Sequence, residues 1–148
     1  MISSQVPPVR RLVRSWTNAV SGTTSSLRAA VWTGTIFVVV GEDGTILTSI
    51  DGFDWTTRQS GTNDLMLSVV WNGRQLVAVG CYGSSLVSRD GMEWTLSPKN
   101  TGAELRSIIW ADSFFIAVGQ NSRTFGEGLI LTSADGGLAL IFFDSNIR

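Results

Sequence analysis

Ser49-Ile50-Asp51-Gly52-Phe53-Asp54-Trp55-Thr56 is a stretch that returns later in the chain as Ser88-Arg89-Asp90-Gly91-Met92-Glu93-Trp94-Thr95. A shorter third copy is Ser133-Ala134-Asp135-Gly136. Asp-Gly between two runs of β-forming residues predicts a hairpin with a tight primed turn, because Gly accepts the positive φ that such a turn demands. The Ser and Asp side chains can accept hydrogen bonds from nearby backbone N–H groups and hold the turn closed. The stretch therefore predicts a hairpin that is repeated along the chain.

The tryptophans give the length of the repeat. All six fall into two series that share one 39-residue spacing, Trp16/Trp55/Trp94 and Trp32/Trp71/Trp110. Three glycines keep the same spacing, Gly41, Gly80 and Gly119. Self-similarity at a fixed period of this length is typical of repeat architectures. We expect both tryptophan series to be buried anchors, since burying a Trp removes roughly 150–250 Å² from water.

Each full repeat contains four short β-forming segments, named a to d, which are separated by glycine-containing turns. Segment a is predicted at 27–32, 67–71 and 105–110, and segment b at 36–40, 76–79 and 114–118. Segment c is predicted at 45–49, 84–88 and 129–133, and segment d carries Trp55 or Trp94. Such short runs of Val, Ile, Leu and Thr indicate antiparallel strands, and no apolar stripe at helical spacing is present. We expect a helix content near zero.

A four-stranded unit of about forty residues, repeated, is typical of a β-propeller blade. The sequence predicts one all-β repeat domain over 1–148, with blades at 27–60, 67–99 and 105–143 and a partial d strand at 9–18. The third blade is irregular, because six residues are inserted between Gly119 and Gly128 and Ala139 stands at its Trp position. The apolar run 138–143 replaces its usual last strand.

Composition excludes several classes of function. The 148-residue chain has no His and a single Cys, so it lacks the commonest general base and metal ligand, and we expect no metal site and no cofactor. The net charge of −1 gives no field that attracts nucleic acid or an anionic membrane. No apolar run resembles a signal peptide or spans a bilayer, which favours a cytoplasmic protein.

The repeated pieces S-x-D-G-x-x-W-T, V-A-V-G and W-N-G resemble those of the Asp-box, or BNR-like, repeats of bacterial propellers, including the photosystem II assembly-factor type. The resemblance covers roughly residues 13–136. It departs in one place, because the usual box is S-x-D-x-G-x-x-W, whereas Asp and Gly are adjacent here. The resemblance implies a propeller of several blades and a binding role.

Two groups of residues are candidates for a role. The first group is predicted to be structural, because a propeller needs its hairpins held in every blade. It contains Ser49, Asp51, Gly52, Trp55, Ser88, Asp90, Gly91, Trp94, Ser133, Asp135 and Gly136. The second group lies in the b–c connections, where the copies differ and where a rigid scaffold carries its binding residues. It contains Glu42, Asp43, Tyr82, Arg123, Phe125 and Glu127.

These residues predict a non-catalytic scaffold or binding module for a protein or a glycan. The alternative is a glycoside hydrolase of the sialidase type, since that group also carries Asp boxes. Such a site requires an arginine triad, a Tyr nucleophile with a Glu partner and an acidic residue. Tyr82 is the only Tyr, and Arg28 and Arg106 have no counterpart in the second blade. We therefore predict no enzymatic activity.

The number of blades predicts association. Propellers typically close with four to eight blades, and an isolated set of three would leave the apolar faces of blades one and three uncovered. Two chains related by a twofold axis would close six blades, so a homodimer is the favoured oligomer. In that arrangement the N-terminal segment 9–18 of one chain could complete the third blade of its partner, in competition with the chain's own residues 138–143.

Overall fold

A computed structural model describes residues 15–99, 102–122 and 126–136 of the chain. Their regular structure is all-β, with eleven strands and two single-turn 3₁₀ segments, Glu42–Gly44 and Cys81–Gly83. This confirms the predicted all-β class and the near absence of helix. Residues 9–14 of the predicted partial strand at 9–18, and the whole apolar run 138–143, lie outside the described residues.

The strands form three antiparallel sheets in which each strand pairs with the next one in the chain. The first sheet contains β1 (Leu27–Trp32), β2 (Phe37–Gly41), β3 (Ile46–Ser49) and β4 (Thr56–Arg58). The second contains β5 (Met66–Trp71), β6 (Leu76–Gly80), β7 (Ser85–Ser88) and β8 (Thr95–Leu96). The third contains β9 (Glu104–Trp110), β10 (Phe115–Gln120) and β11 (Gly128–Ser133). The first three strands of each sheet begin and end within two residues of the predicted segments a, b and c. The fourth strands, β4 and β8, begin just after Trp55 and Trp94, which segment d was expected to contain.

Two apolar clusters hold the sheets face to face. Val38, Val40 and Ile46 of the first sheet pack with Met66 and Leu76 of the second. The opposite face of the second sheet packs against the third in the same way, through the residues Val77, Val79, Leu105, Ile108, Phe115 and Ala117. The middle sheet is therefore covered on both faces, as the inner blade of a stack requires. The first strands of neighbouring sheets, β1, β5 and β9, lie side by side.

The glycine that ends the second strand of each sheet is required by a close backbone approach. A Cβ at Gly41 would lie 2.2 Å from the carbonyl oxygen of Ser26, and at Gly80 it would lie 1.9 Å from that of Leu65. The same distance at Gly119, to the carbonyl oxygen of Glu104, is 1.8 Å. The first strand has a register shift at this point in all three sheets. The common spacing of these glycines thus reflects one bulged contact that is repeated.

Two expectations about local structure are wrong. The Asp-Gly pairs are not the centre of two-residue primed turns, because the β3–β4 and β7–β8 connections contain six residues each. Gly52 and Gly91 have positive φ, 80° and 77°, whereas neither preceding Asp does. A primed turn of type I′ needs positive φ at both central residues. The connection is a wider loop in which the side chains of Ser and Asp supply the hydrogen bonds.

The second wrong expectation concerns burial of the tryptophans. Trp32 is 47% exposed, and Trp71, Trp110, Trp55 and Trp94 are half-buried. Trp71 and Trp110 pack against the cluster shared with the preceding sheet, whereas no described sheet precedes Trp32. Its ring instead contacts Phe37, with the ring centroids 4.4 Å apart. Within the series Trp32, Trp71 and Trp110, the two tryptophans that have a described preceding sheet are the two that are half-buried.

The N-terminal part of the description also differs from the expected d strand at 9–18. Residues 15–18 form no strand, and the Trp16 side chain is fully exposed. Trp16 therefore does not pack as the half-buried Trp55 and Trp94 do, although it keeps the spacing of the series. The remainder of this predicted strand lies outside the described residues.

Candidate functional site

The Ser-Asp loops are closed by side-chain hydrogen bonds at one end of the sheets. Gly91 N–H donates to Ser88 Oγ at 2.8 Å, and the backbone N–H groups of Met92 and Glu93 donate to Asp90 Oδ1 at 2.8 and 3.0 Å. The indole of Trp94 donates to the carbonyl oxygen of Gly91 at 2.9 Å. These bonds stabilise the loop from within and use the acceptors that a ligand would need.

The other two copies repeat this pattern. In the first sheet, Gly52 N–H donates to Ser49 Oγ at 2.8 Å, and the N–H groups of Phe53 and Asp54 donate to Asp51 Oδ1. In the third sheet, Gly136 N–H donates to Ser133 Oγ at 3.0 Å, and the Ser133 hydroxyl donates to Asp135 at 2.9 Å. Backbone donors lower the pKa of Asp90 below its ordinary value, with Glu93 N–H first and Met92 N–H second. The backbone N–H groups of the loop thus favour the ionised carboxylate of Asp90.

The predicted binding residues lie at the opposite end, which we call the rim. The rim consists of the β2–β3, β6–β7 and β10–β11 connections together with the β4–β5 and β8–β9 connections. Two of its residues, Asp43 and Tyr82, occupy equivalent positions in the 3₁₀ turns and have positive φ of 55° and 58°. Tyr82 is 65% exposed. The turns therefore present these two side chains outward from a strained backbone position.

Charged side chains on the rim are paired with neighbours in the same sheet. Arg28 forms an ion pair with Glu42, and this bond lowers the pKa of the Glu42 carboxyl. The Ser25 hydroxyl donates to Asp43 Oδ2 at 3.0 Å. Arg106 pairs with Glu104 at 3.2 Å. The two arginines of the hydrolase hypothesis are thus each held by a carboxylate on their own sheet, and the described residues do not bring them together around a substrate.

A second polar cluster joins the rim across the sheets. Asp64 binds Lys99 and the Ser84 hydroxyl, and its carbonyl oxygen accepts from Gly44 N–H at 2.9 Å. Burial alone would raise the pKa of Asp64, but the hydrogen bonds from Lys99 and Ser84 outweigh it and lower the pKa. Gly83 N–H makes the equivalent backbone bond to Ala103, at 2.7 Å. These backbone bonds hold the connections of neighbouring sheets together at the rim.

A cleft of about 310 Å³ opens on the rim between the β2–β3 and β4–β5 connections. Of the predicted binding residues that the structure describes, only Asp43 lines it. The rest of its lining includes groups that the sequence did not single out, Thr45, Arg58, Gln59, Thr62 and Asn63. The signal that could have found them is the strand direction, since the connection from segment d to the next segment a ends at the rim. Arg58 is steadied by its Nε donating to Thr48 at 2.9 Å.

The other predicted binding residues are dispersed. Glu42 and Tyr82 lie on the rim but do not line this cleft, and the exposed Glu127 ends the long β10–β11 loop. The loop is closed at its base, where Asn121 N–H donates to the carbonyl oxygen of Glu127 at 3.0 Å. Arg123 and Phe125 lie outside the described residues. The described part of the rim thus has a polar cleft that Asp43 lines and an exposed Tyr82 that does not line it.

Among the described residues there is no group of three or more Asp, Glu, Cys or His that could hold a metal ion. Burial raises the pKa of the Cys81 thiol, and the nearby carboxylates of Glu104 and Asp64 raise it further. The thiol form is therefore favoured, which does not suit a nucleophile. The described part of the chain contains no helix that is long and apolar enough to cross a membrane.

A second cleft, of about 540 Å³, lies at the end opposite the rim between the second and third sheets. Its lining includes Arg74, Gln75, Trp110 and Asp112. Gln75 closes one side, because its side-chain amide donates to the carbonyl oxygen of Asp135 at 2.5 Å. This bond already uses a polar group of the cleft to hold the two sheets together.

Comparison with known proteins identifies the fold. No family model matches the chain, and no curated protein matches it. A solved structure of YCF48 bound to D1 peptide is similar, with a TM-score of 0.65 and 20% sequence identity over 79% of this chain. The match covers 39% of that protein's chain. The three stacked antiparallel sheets are therefore blades of a β-propeller, and this chain spans about two fifths of the length of the protein it matches.

Proposed function

We propose that this chain is a non-catalytic β-propeller scaffold that binds an extended segment of a protein partner on its rim. The observation that carries the proposal is the similarity to a propeller that is itself bound to a peptide. The finer resemblance to the Asp-box, or BNR-like, propellers belongs to the same proposal. No observation favours glycan binding or sialidase chemistry over it.

The rim cleft supplies the chemistry that such a ligand needs. Its lining contains the Asp43 carboxylate and the Arg58 guanidinium together with hydroxyl and amide side chains, among them Thr62 and Asn63. Peptide backbone groups are donors and acceptors that pair with such side chains. A carboxylate and a guanidinium at fixed positions can orient the polar side chains of the ligand. The exposed ring of Tyr82 adds a flat apolar surface on the same rim, of the kind that is enriched in binding sites.

The proposal is tested with peptides selected from a random display library on the immobilised, folded chain, and with the D1 peptide as a first single probe. Selected peptides should bind the parent chain in fluorescence anisotropy and lose at least about tenfold in affinity, or about 1.4 kcal/mol, with Asp43→Ala or Arg58→Ala. Asp112→Ala, at the opposite end, is the matched control and should bind as the parent does. Equal binding by all three variants would contradict the rim assignment, and turnover of a fluorogenic sialoside would contradict the proposed absence of catalysis.

We also propose that the chain works as a homo-oligomer, with a dimer favoured. Apolar side chains stand exposed on the outer face of the third sheet, which supports association.

A further inference from the structure

The first sheet ends in a strand that has a partner on one side only. The sheet order is β1-β2-β3-β4, so β4 pairs with β3 and with no other described strand. We call its unpaired side the open edge. The two apolar clusters join neighbouring sheets through their faces, and Thr56 and Thr57 of β4 are exposed. An edge strand of this kind presents unpaired backbone groups, which are a template for a further strand.

The register of β4 shows which of its backbone groups β3 already uses. In the second sheet, Ser97 N–H donates to the carbonyl oxygen of Ser85 at 2.9 Å, just after β8. Arg58 and Ile46 hold the equivalent positions in the first sheet, and they lie opposite each other in the pairing of β3 with β4. The backbone N–H of Arg58 is therefore directed at β3.

The residues on either side of Arg58 face the other way. The backbone groups of an antiparallel strand point alternately to its two sides, so those of Thr57 and Gln59 point to the open edge. Among the described residues, no backbone carbonyl accepts from the N–H of Gln59. Both residues also line the rim cleft, together with Asp43 and Asn63. The open edge and the polar cleft are therefore parts of one surface.

The corresponding edge of the second sheet lacks one of these donors. Pro98 stands there at the position of Gln59, and proline has no N–H to donate. β8 also has two residues where β4 has three. Proline and a short edge strand are both devices by which proteins prevent strand addition. The first sheet has neither a proline at this position nor the shorter strand, so its edge is the better template.

The charged side chain of β4 does not obstruct the open edge. Arg58 Nε donates to Thr48 Oγ1 at 2.9 Å, so the guanidinium lies against β3. The cations Arg28, Lys99 and Arg106 each form an ion pair with a carboxylate. No carboxylate of the described residues pairs with Arg58 in this way. Its guanidinium is therefore available to an acidic side chain of a ligand in the cleft.

We propose that the partner segment binds as an added β-strand along the open edge, with its backbone paired to Thr57 and Gln59 and an acidic side chain paired to Arg58. In this mode the main-chain hydrogen bonds give the affinity and the side-chain contacts give the specificity. The segment lies in the rim cleft at one end and along β4 at the other. The inference rests on the proposed function and adds the mode of recognition.

The first experiment changes the backbone of the ligand. Single N–H groups of a peptide selected on the parent chain are replaced by N-methyl groups, one position at a time. In an added strand only alternate N–H groups face β4, so methylation at every second position should weaken binding at least about tenfold in fluorescence anisotropy. Methylation between these positions should change the affinity less than about threefold. Losses that do not alternate, or no loss at any position, would overturn strand addition.

The second experiment removes one donor from the open edge. Gln59→Pro should weaken peptide binding at least about tenfold, because it deletes the N–H that Pro98 lacks in the second sheet. Gln59→Ala keeps this N–H, so the difference between the two variants isolates it. Ile50→Pro, at an exposed residue on the opposite end of the sheet, is the matched control and should bind as the parent does. Equal binding by Gln59→Pro and Gln59→Ala would contradict the proposal, and the N-methyl series decides the question if Gln59→Pro does not fold.

The acidic contact is tested with a double exchange. The selected peptides should share an acidic residue, and its replacement by the amide should weaken binding to the parent at least about tenfold. The same replacement should have little effect on binding to Arg58→Ala, because the two changes remove one contact. Selected peptides without an acidic residue, or equal losses on both proteins, would overturn this part of the proposal.

The proposed function and this mode of binding fail in different ways. Peptides that lose affinity with Asp43→Ala or Arg58→Ala, but not with Gln59→Pro, would leave the rim site in place and overturn strand addition. Light scattering tests the other occupant, a second copy of the chain. A parent dimer that dissociates with Gln59→Pro, but not with Ile50→Pro, would assign the open edge to that second copy and overturn the proposal.

Discussion

Gly136 of the third sheet lies directly against Val77 of the second, so that a Cβ at Gly136 would come within 2.3 Å of Val77 Cγ2. The Ser85 hydroxyl reinforces this contact by donating to the carbonyl oxygen of Gly136 at 3.0 Å. Gly91 stands in the same relationship to Ile36 of the first sheet. The glycine after the Asp therefore has two roles. It adopts the positive φ that the loop needs, and it lets the loop touch the preceding sheet.

The two roles can be separated by comparing two glycines. Gly91→Ala places a methyl group 2.7 Å from Ile36 Cδ1, at φ 77°. Gly73→Ala has similar strain at φ 92° but nothing within 4 Å. Both should lose about 1 kcal/mol from the left-handed backbone, and Gly91→Ala should lose about 1–3 kcal/mol more from overpacking. Denaturant unfolding measures both. Equal losses would show that Gly91 is kept for its backbone conformation alone.

The Ser-Asp loop makes stability depend on pH. The pKa of Asp90 is lowered in the folded chain by the N–H groups of Glu93 and Met92. A group with a depressed folded pKa stabilises the fold above its unfolded pKa, about 3.9 for Asp, and this contribution is lost as the pH falls through the folded pKa. We expect the melting temperature of the parent to fall below about pH 4, and Asp90→Asn to remove part of that fall.

Glu93→Gln is the matched control for this pH dependence. It removes one carboxylate from the same loop but leaves the backbone N–H group that donates to Asp90 in place. Its melting temperature should follow that of the parent between about pH 3 and pH 6. A Glu93→Gln curve that resembles the Asp90→Asn curve would assign the effect to the net charge of the loop and not to the hydrogen bonds of Asp90.

The sequence predicted those parts of the fold that repeat. Strand positions, sheet order and the 39-residue period follow from local signals that recur in each copy, such as the glycine after segment b and the apolar runs of Val and Ile. Gly41, Gly80 and Gly119 were visible as a series, and the structure shows that a carbonyl oxygen at the start of the first strand excludes a Cβ at each of them.

What differs between copies could not be predicted in the same way. Trp32 keeps the spacing of Trp71 and Trp110, yet it is exposed because no described sheet precedes it. The Asp-Gly pairs indicated a two-residue turn, but the Ser and Asp side chains stabilise a six-residue loop instead. The rim cleft depends on Arg58 and Asn63, which carry no motif and meet Asp43 only through the packing of two connections.

The tryptophans should differ in how much they stabilise the fold, because they differ in burial and contacts. Trp94 packs against the cluster between the first two sheets and donates to the carbonyl oxygen of Gly91. Its replacement by Ala should cost about 3 kcal/mol, at the lower end of the range for aromatic residues because the ring is half-buried. Trp55, whose ring centroid lies 6.4 Å from that of Phe37, should cost less.

Trp16→Ala is the control for these two variants, since the Trp16 side chain is fully exposed. It should change the free energy of unfolding by less than about 0.5 kcal/mol, as surface substitutions usually do. Urea titrations followed by circular dichroism give all three values. A loss at Trp16 as large as that at Trp94 would mean that the exposed tryptophan packs in solution against something that the described residues do not include.

The last prediction concerns residues 120–127, the end of β10 and the long β10–β11 loop, which the sequence marks as the largest difference between the blades. Replacing it with a short connection of the Gly80–Gly83 type should leave the fold intact for two reasons. Gly119 already makes the close backbone approach that Gly80 makes before the shorter turn. The ends of the loop already lie together, because Asn121 N–H donates to the carbonyl oxygen of Glu127. The melting temperature of the shortened chain should therefore stay within a few degrees of that of the parent, which corresponds to about 1 kcal/mol or less.

Peptides selected on the parent should bind the shortened chain at least about tenfold more weakly, since the loop lies on the same rim as Asp43 and Tyr82. Unchanged affinity in a shortened chain that melts normally would remove this loop from the binding surface and leave the cleft beside Arg58 as its remaining part.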